Sequence, residues 1–188
     1  THYFRQDYPQ LANDNIQGLL CDEQNRVWVR CDDGAVTVID ENRRFHKVAL
    51  RINGQVVEIR RMIKTKEQGA ILFTKKGFFA FTGNPSITQQ DSLTQNDFTL
   101  LPIAGMDTLA PATFVQLEKI DDNRYVLTRR QDMHIINFKE KKTEARHVFT
   151  DKWALMMWKP GELLMYDRKT KMLESLHLSS QTITYPFS

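Results

Sequence analysis

One hairpin frame recurs along this chain and limits its fold more than any other feature. The first copy, VWVRCDDGAVTVID, sets Asp32-Asp33-Gly34 between two short apolar runs and closes on Asp40, six residues after Gly34. AILFTKKGFFAFTG carries Lys75-Lys76-Gly77 in the same slot. RYVLTRRQDMHIIN has Arg129-Arg130-Gln131 there and closes on Asn137, while ALMMWKPGELLMYD has Lys159-Pro160-Gly161 and closes on Asp167. Glycine suits the slot because a tight turn often needs a residue with positive φ. Gln131 departs from the frame and calls for a differently shaped turn.

Around these hairpins, β-branched and aromatic residues gather in short runs punctuated by Gly and Pro, the pattern of strands, and no long helix is indicated. Further strands are expected upstream at Ile16 to Cys21, Val56 to Ile63 and Thr113 to Ile120. Downstream they are expected at Phe45 to Leu50, Phe98 to Ile103, Ala145 to Phe149 and Met172 to Leu178. Three units then read as four short antiparallel strands each. The fourth is irregular, because too few residues separate Phe149 from Trp153 for a separate first strand, and Thr182 to Phe187 is left to close it.

Four-stranded sheets repeated every ~40–50 residues are the signature of β-propeller blades. A blade is buried by its neighbours on both faces, so its inner strands are apolar throughout rather than alternating, as Val27-Trp28-Val29 and Ile71-Leu72-Phe73 are. The expected fold is an all-β propeller segment of about four blades, spanning 11–50, 56–104, 113–149 and 153–187. A β-sandwich or a meandering barrel with accidental turn similarity is the competing architecture.

With 188 residues, the chain can bury a core without disulfides or metal. Its net charge of +3 is small, and its Lys and Arg are spread along the length instead of gathered on one element, so no nucleic-acid partner is expected. No apolar stretch approaches the ~20 residues that cross a bilayer. The chain begins at Thr1 with no signal-like segment, and reads as a processed chain or an excised piece whose membrane contact would come through a segment not present. A symmetric hairpin around Gln24 puts Cys21 opposite about residue 28 and not opposite Cys31, so two free, buried thiols are expected.

The first unit, LANDNIQGLLCDEQNRVWVRCDDGAVTVIDENRRFHKV, is similar to the two-component regulator propeller repeat. The matching residues are Leu11, Asn13 to Asn15, Ile16, Asp22, Val27-Trp28, Gly34, Val36 to Ile39, Asp40 and Phe45. Asn25 and Cys31 stand where that repeat usually has Gly and Thr. The second and third units match it weakly and the fourth in part. The resemblance implies the extracytoplasmic, periplasmic sensor portion of a bacterial hybrid two-component system, homodimeric and responsive to oligosaccharides. There, propellers precede a membrane span and a histidine kinase, so this chain reads as a piece of a larger ring.

No cofactor, metal or catalytic residue is indicated. The five histidines show no paired spacing, and neither Cys has a Cys-x2-Cys partner. No Gly-x-Ser-x-Gly is present. Pairs such as Asp121-Asp122 are read as turn residues that accept local backbone hydrogen bonds. Trp28, Tyr125 and Trp158, placed in or beside the second strand of their units, are read as blade-to-blade packing.

The functional expectation is positional. Loops joining second and third strands share one end of a propeller with the connections between blades, and loops carry function while blades hold them rigid. Arg30, Asp32, Asp33, Lys75, Lys76, Arg129, Arg130, Gln131 and Lys159 would there form a charged rim able to bond sugar hydroxyls or carboxylates. The function expected is a non-catalytic sensory or ligand-binding domain. A protein-docking propeller, or a propeller lyase or glycosidase, are the alternatives.

Overall fold

The computed structural model describes residues 9, 11, 13–83, 92–106, 115–129, 132–149, 152–159, 161–178, 180 and 183–184. The chain divides into two compact units, Thr1–Pro102 and Ile103–Ser188.

In the first unit, β1 (Ile16–Cys21), β2 (Val27–Cys31), β3 (Val36–Ile39) and β4 (Phe45–Ala49) pair antiparallel in chain order. A small hairpin follows, β5 (Arg51–Ile52) and β6 (Gln55–Val56), turning on Asn53-Gly54 with φ of 52° and 79°. Positive φ at both central residues is the requirement of a type I′ turn. The hairpin takes Val56 out of the strand expected at Val56 to Ile63. The next strand, β7 (Ile59–Thr65), starts three residues later than expected and runs two further.

β7 pairs with β8 (Gly69–Thr74), and β8 with β9 (Gly77–Phe81). The chain then leaves the second sheet before finishing it. β10 (Ser92–Thr94) lies parallel to β4 as a fifth strand of the first sheet, with Leu93 opposite Val48. A 3-10 turn at Gln95–Asp97, held by Thr94 N donating to Asp97 Oδ2 at 2.7 Å, returns the chain as β11 (Phe98–Leu101), the fourth strand of the second sheet.

The two sheets of this unit share one core. Trp28, Val36 and Val38 face Ala70, Leu72, Phe79 and Phe81, with Leu93 and Phe98 joining from the exchanged segment. Trp28, Phe81 and Phe98 make mutual edge-to-face contacts with centroids 5.2, 6.3 and 5.6 Å apart, within the favourable range for aromatic pairs. Ile71, Phe73 and Phe78 point the other way along the same strands and are also buried. Burial on both faces is what the continuous apolar runs predict for a blade.

In the second unit, β12 (Val115–Lys119), β13 (Arg124–Arg129), β14 (Asp132–Asn137) and β15 (Lys142–Val148) form one antiparallel sheet in chain order. β16 (Lys152–Lys159), β17 (Glu162–Asp167), β18 (Leu173–His177) and β19 (Ile183–Thr184) form another. Val126, Met133 and Ile135 of the one meet Leu163, Met165 and Leu176 of the other. β16 heads its sheet, so the turn at 159–161 joins first and second strands, not second and third as the repeat frame places it. Trp158 accordingly lies in a first strand. The hairpin resembles the others because two apolar strands and a glycine turn look alike wherever they fall in a sheet.

The aspartates at strand ends, among them the frame's closing Asp40 and Asp167, have a local cause. Asp22, Asp40, Asp121 and Asp167 each receive two backbone amides on one carboxylate oxygen, at 2.7–3.1 Å, from residues two to four positions on. Each thereby closes the turn between two strands. The frame glycines Gly34, Gly77 and Gly161 have φ of 79°, 126° and 76°. Cys21 and Cys31 are free. Cys21 pairs with Val27 and Cys31 with Ile16, well out of bridging register. Cys21 is exposed, against the expected burial, because β1 is an edge strand whose Gln17, Leu19 and Cys21 face outward.

Candidate functional site

Strand direction gives the first unit two ends. β2 runs from the turn at 22–26 to the turn at 32–34, and β7 begins beside the latter, Ile59 N donating to Gly34 O at 3.3 Å. A Cβ on Gly34 would lie 2.7 Å from Glu58 Cγ and 3.3 Å from Ile59 O. Glycine therefore serves both the left-handed backbone and the close approach of the second sheet.

Five of the expected rim residues meet at this end. Asp32 is held by two amides, Asn13 Nδ2 donating to Oδ1 at 3.0 Å and Asn15 Nδ2 to Oδ2 at 2.7 Å. Asp33 accepts the Ala35 amide at 2.9 Å. Both carboxylates thus serve the turn first. Lys75 Nζ lies 3.9 Å from Glu58 Oε2, with both side chains exposed, and the Lys76 amide donates to Thr74 Oγ1 at 3.0 Å.

Arg30 stands apart from these. Half-buried near the end of β2, it reaches only backbone oxygens, with Nη1 3.3 Å from Cys31 O and Nη2 3.4 Å from Gln17 O. Burial holds its pKa below the ordinary arginine value. The positive charge of Arg61 lowers it further, while Cys31 and Glu58 act the other way. The guanidinium stays protonated. Arg61 sits on β7, half-buried, with Nη1 donating to Arg60 O at 2.8 Å. Among the described residues, neither Arg30 nor Arg61 forms an ion pair. Two neighbouring half-buried cations with only carbonyl partners attract an anionic acceptor, because charge-assisted bonds are about twice as strong as neutral ones.

Arg61 was not among the expected site residues. Its signal was present as consecutive arginines, Arg60 and Arg61, between the apolar Ile59 and Met62-Ile63 of one strand, but its proximity to Arg30 depends on how two sheets meet.

The second unit supplies less. Arg130, Gln131 and the side chain of Arg129 lie outside the described residues. Lys159 ends β16 with Nζ 4.1 Å above the Trp158 ring centre, a cation–π contact, and its turn is not of the second-to-third type. Below it, Trp158 Nε1 donates to Ser175 Oγ at 3.1 Å, and Ser175 Oγ donates to Glu162 Oε2 at 2.9 Å. His177 Nδ1 is 3.7 Å from Glu162 Oε1. Ser175 is fully buried with its proton committed to a carboxylate, so this Ser, Glu and His grouping serves as a packed polar network.

No family model and no curated protein matches this sequence. Among solved structures, the chain is similar to the extracellular domain of a B. thetaiotaomicron protein described as the hybrid two-component system BT3049. Identity is 13% and the TM-score 0.59, over 93% of this chain and 25% of that one. It is also similar to the extracellular domain of B. thetaiotaomicron BT4673, described as a one-component system, with 8% identity and a TM-score of 0.61 over 98% of this chain and 27% of that one. Apo AztD from Citrobacter koseri matches at 9% identity and a TM-score of 0.52, over 90% of this chain and 45% of that one. The chain spans about a quarter of the length of the two extracellular domains. At these identities the likeness is one of fold, and it bears out the propeller-blade architecture expected from the hairpin repeat.

Proposed function

We propose that this chain is a ligand-binding part of an extracytoplasmic, periplasmic sensor, and that the rim around Arg30 and Arg61 receives an acidic group of an oligosaccharide. The observation that carries this reading is the pairing of two half-buried guanidinium groups that have carbonyl acceptors but no carboxylate. The fold shared with extracellular domains of signalling proteins supports the sensory role. Arginine suits the task because its planar fork engages a carboxylate through two parallel bonds. Lys75 and Lys76 add positive charge at the same end, and the rigid sheets hold the rim without rearrangement.

The domain acts by selection and not by chemistry. In a homodimer, a ligand that fits one arrangement of the propellers better than another shifts the population toward it, and the shift passes to a membrane segment outside these residues. Calorimetry with oligogalacturonides and with neutral oligosaccharides of equal length tests the reading. The acidic series should bind and the neutral series should not. Arg30→Ala with Arg61→Ala should weaken binding by roughly tenfold or more, the value of a lost bond to a charged group. Equal affinity for both series, or an unchanged double variant, removes the proposed site. Turnover of either series would assign the chain to an enzyme instead.

A further inference from the structure

The rim end of the first unit carries negative charge as well as positive. Asp32 is held there by the side-chain amides of Asn13 and Asn15, and Asp33 by the backbone amide of Ala35. Glu58 is placed differently. It lies one residue before β7, where the Ile59–Thr74 pair that opens the β7–β8 ladder sets it beside Lys75. Its side chain is 53% exposed, and among the described residues its one ionic partner is Lys75 Nζ, 3.9 Å away. An exposed pair at that separation is weak. The Glu58 oxygens therefore keep acceptor capacity for a partner from outside.

The stem of Glu58 is nonetheless fixed. Its Cγ would lie 2.7 Å from a Cβ on Gly34, so the bare glycine is what lets this side chain rest against the turn. Its charge also reaches the rim, since it raises the pKa of Arg30 against the effects of burial and Arg61. Two half-buried guanidinium groups and one exposed carboxylate thus share a single patch, with no ion pair between them among the described residues.

We infer that Glu58 is a specificity-determining residue of this rim: while a ligand carboxylate lies on Arg30 and Arg61, Glu58 accepts a neighbouring sugar hydroxyl, so the rim takes uronic acid sugars with free hydroxyls and rejects their sulfate esters. This rests on the acidic-oligosaccharide reading of the rim and adds which acidic sugars it takes. An ionised carboxylate only accepts hydrogen bonds, and a hydroxyl meets it with a charge-assisted one. A sulfate ester in the same place brings a second negative charge and no donor. Opposed like charges are a means by which a site refuses a rival. Arginines and lysines alone would favour the more highly charged sugar, and Glu58 inverts that order.

Calorimetry of the 188-residue chain with a galacturonic acid trisaccharide, and with the same trisaccharide sulfated on its hydroxyls, tests it. The wild type should bind the unsulfated sugar at least tenfold more tightly. Glu58→Gln keeps the stem against Gly34 and removes only the charge. It should weaken the unsulfated sugar roughly fivefold, as a charge-assisted bond becomes a neutral one, and strengthen the sulfated one about threefold. Glu23→Gln removes the same charge from the turn at 22–26, at the other end of β2, and should leave the ratio of the two affinities unchanged. A gain for both sugars on Glu58→Gln would reduce Glu58 to a screening charge, and no change in either would remove it from the site. Equal binding of both sugars by the wild type would refute the selection. Each of these results overturns the role of Glu58 while leaving the arginine site standing, whereas a wild type that binds neither sugar ends both readings.

Discussion

Trp28 donates its indole N–H to Asp22 Oδ2 at 2.9 Å, and the same oxygen receives Arg26 Nε at 2.6 Å. One carboxylate therefore ties the turn at 22–26 to the largest side chain of the core. Both Asp22 and Arg26 are almost wholly enclosed. Asp22→Ala strands a buried guanidinium, an indole N–H and two turn amides. Breaking a buried pair by deleting one partner costs about 3–5 kcal/mol. Urea unfolding followed by tryptophan fluorescence should show a fall of that order, with Asp22→Asn milder because it keeps one acceptor.

Gly34→Ala should destabilise the first unit by about 1–2 kcal/mol, the cost of a left-handed backbone at a residue with a Cβ. The added methyl also presses on Glu58 and on the Ile59 carbonyl, so the second sheet must retreat from the turn. Beyond the lowered midpoint, amide shifts at Glu58 and Ile59 should be the largest in the spectrum. Shifts confined to residues 32–35 would show that the sheets do not meet through this turn.

Asp40 and His46 give a pH dependence with a definite sign. The buried Asp40 Oδ2 lies 3.1 Å from His46 Nε2. Burial works against ionisation of the carboxylate, but hydrogen bonds from the Arg44 amide, the His46 ring and the Asn42 amide outweigh it and hold the pKa below 3.8. A carboxylate depressed on folding contributes stability that is fully present above its unfolded value and is lost as pH falls through its folded one. Stability should therefore decline as the solution is acidified below about pH 4, and Asp40→Asn should flatten that limb. An unchanged slope in the variant would place the acid sensitivity elsewhere.

Leu93 is completely buried within β10. Leu93→Ala should cost about 2–5 kcal/mol, as deletion of a core leucine does, and should loosen β10 from β4. Hydrogen exchange at Lys47, Val48 and Ala49 should quicken more than at Val36 or Val38. Uniform acceleration across the first sheet would mean that β10 is not a separable edge.

What could be read from the sequence was local. Strand β1 appears at Ile16–Cys21 as expected, and Trp28 with Tyr125 packs inside, because alternating or continuous apolar runs report burial directly. Val56 was misplaced because Asn53-Gly54, a type I′ pair, inserts a small hairpin where the apolar pattern runs on unbroken. β10 carries no sign in three residues, Ser-Leu-Thr, that it will lie parallel to a strand more than 40 positions earlier. The rim followed the same rule. The turn glycines and aspartates announced themselves by type, whereas the meeting of Arg30 with Arg61 arises only when distant segments are assembled.

The detour of β10 has a temporal consequence. During synthesis the first sheet waits for residues 92–94 before its outer edge is sealed, and by then the second sheet has been made except for β11. The first sheet cannot finish alone. It is fastened by a stretch of chain that belongs by order to the second, so pulling the two apart means unthreading β10, and the pair melts as one body.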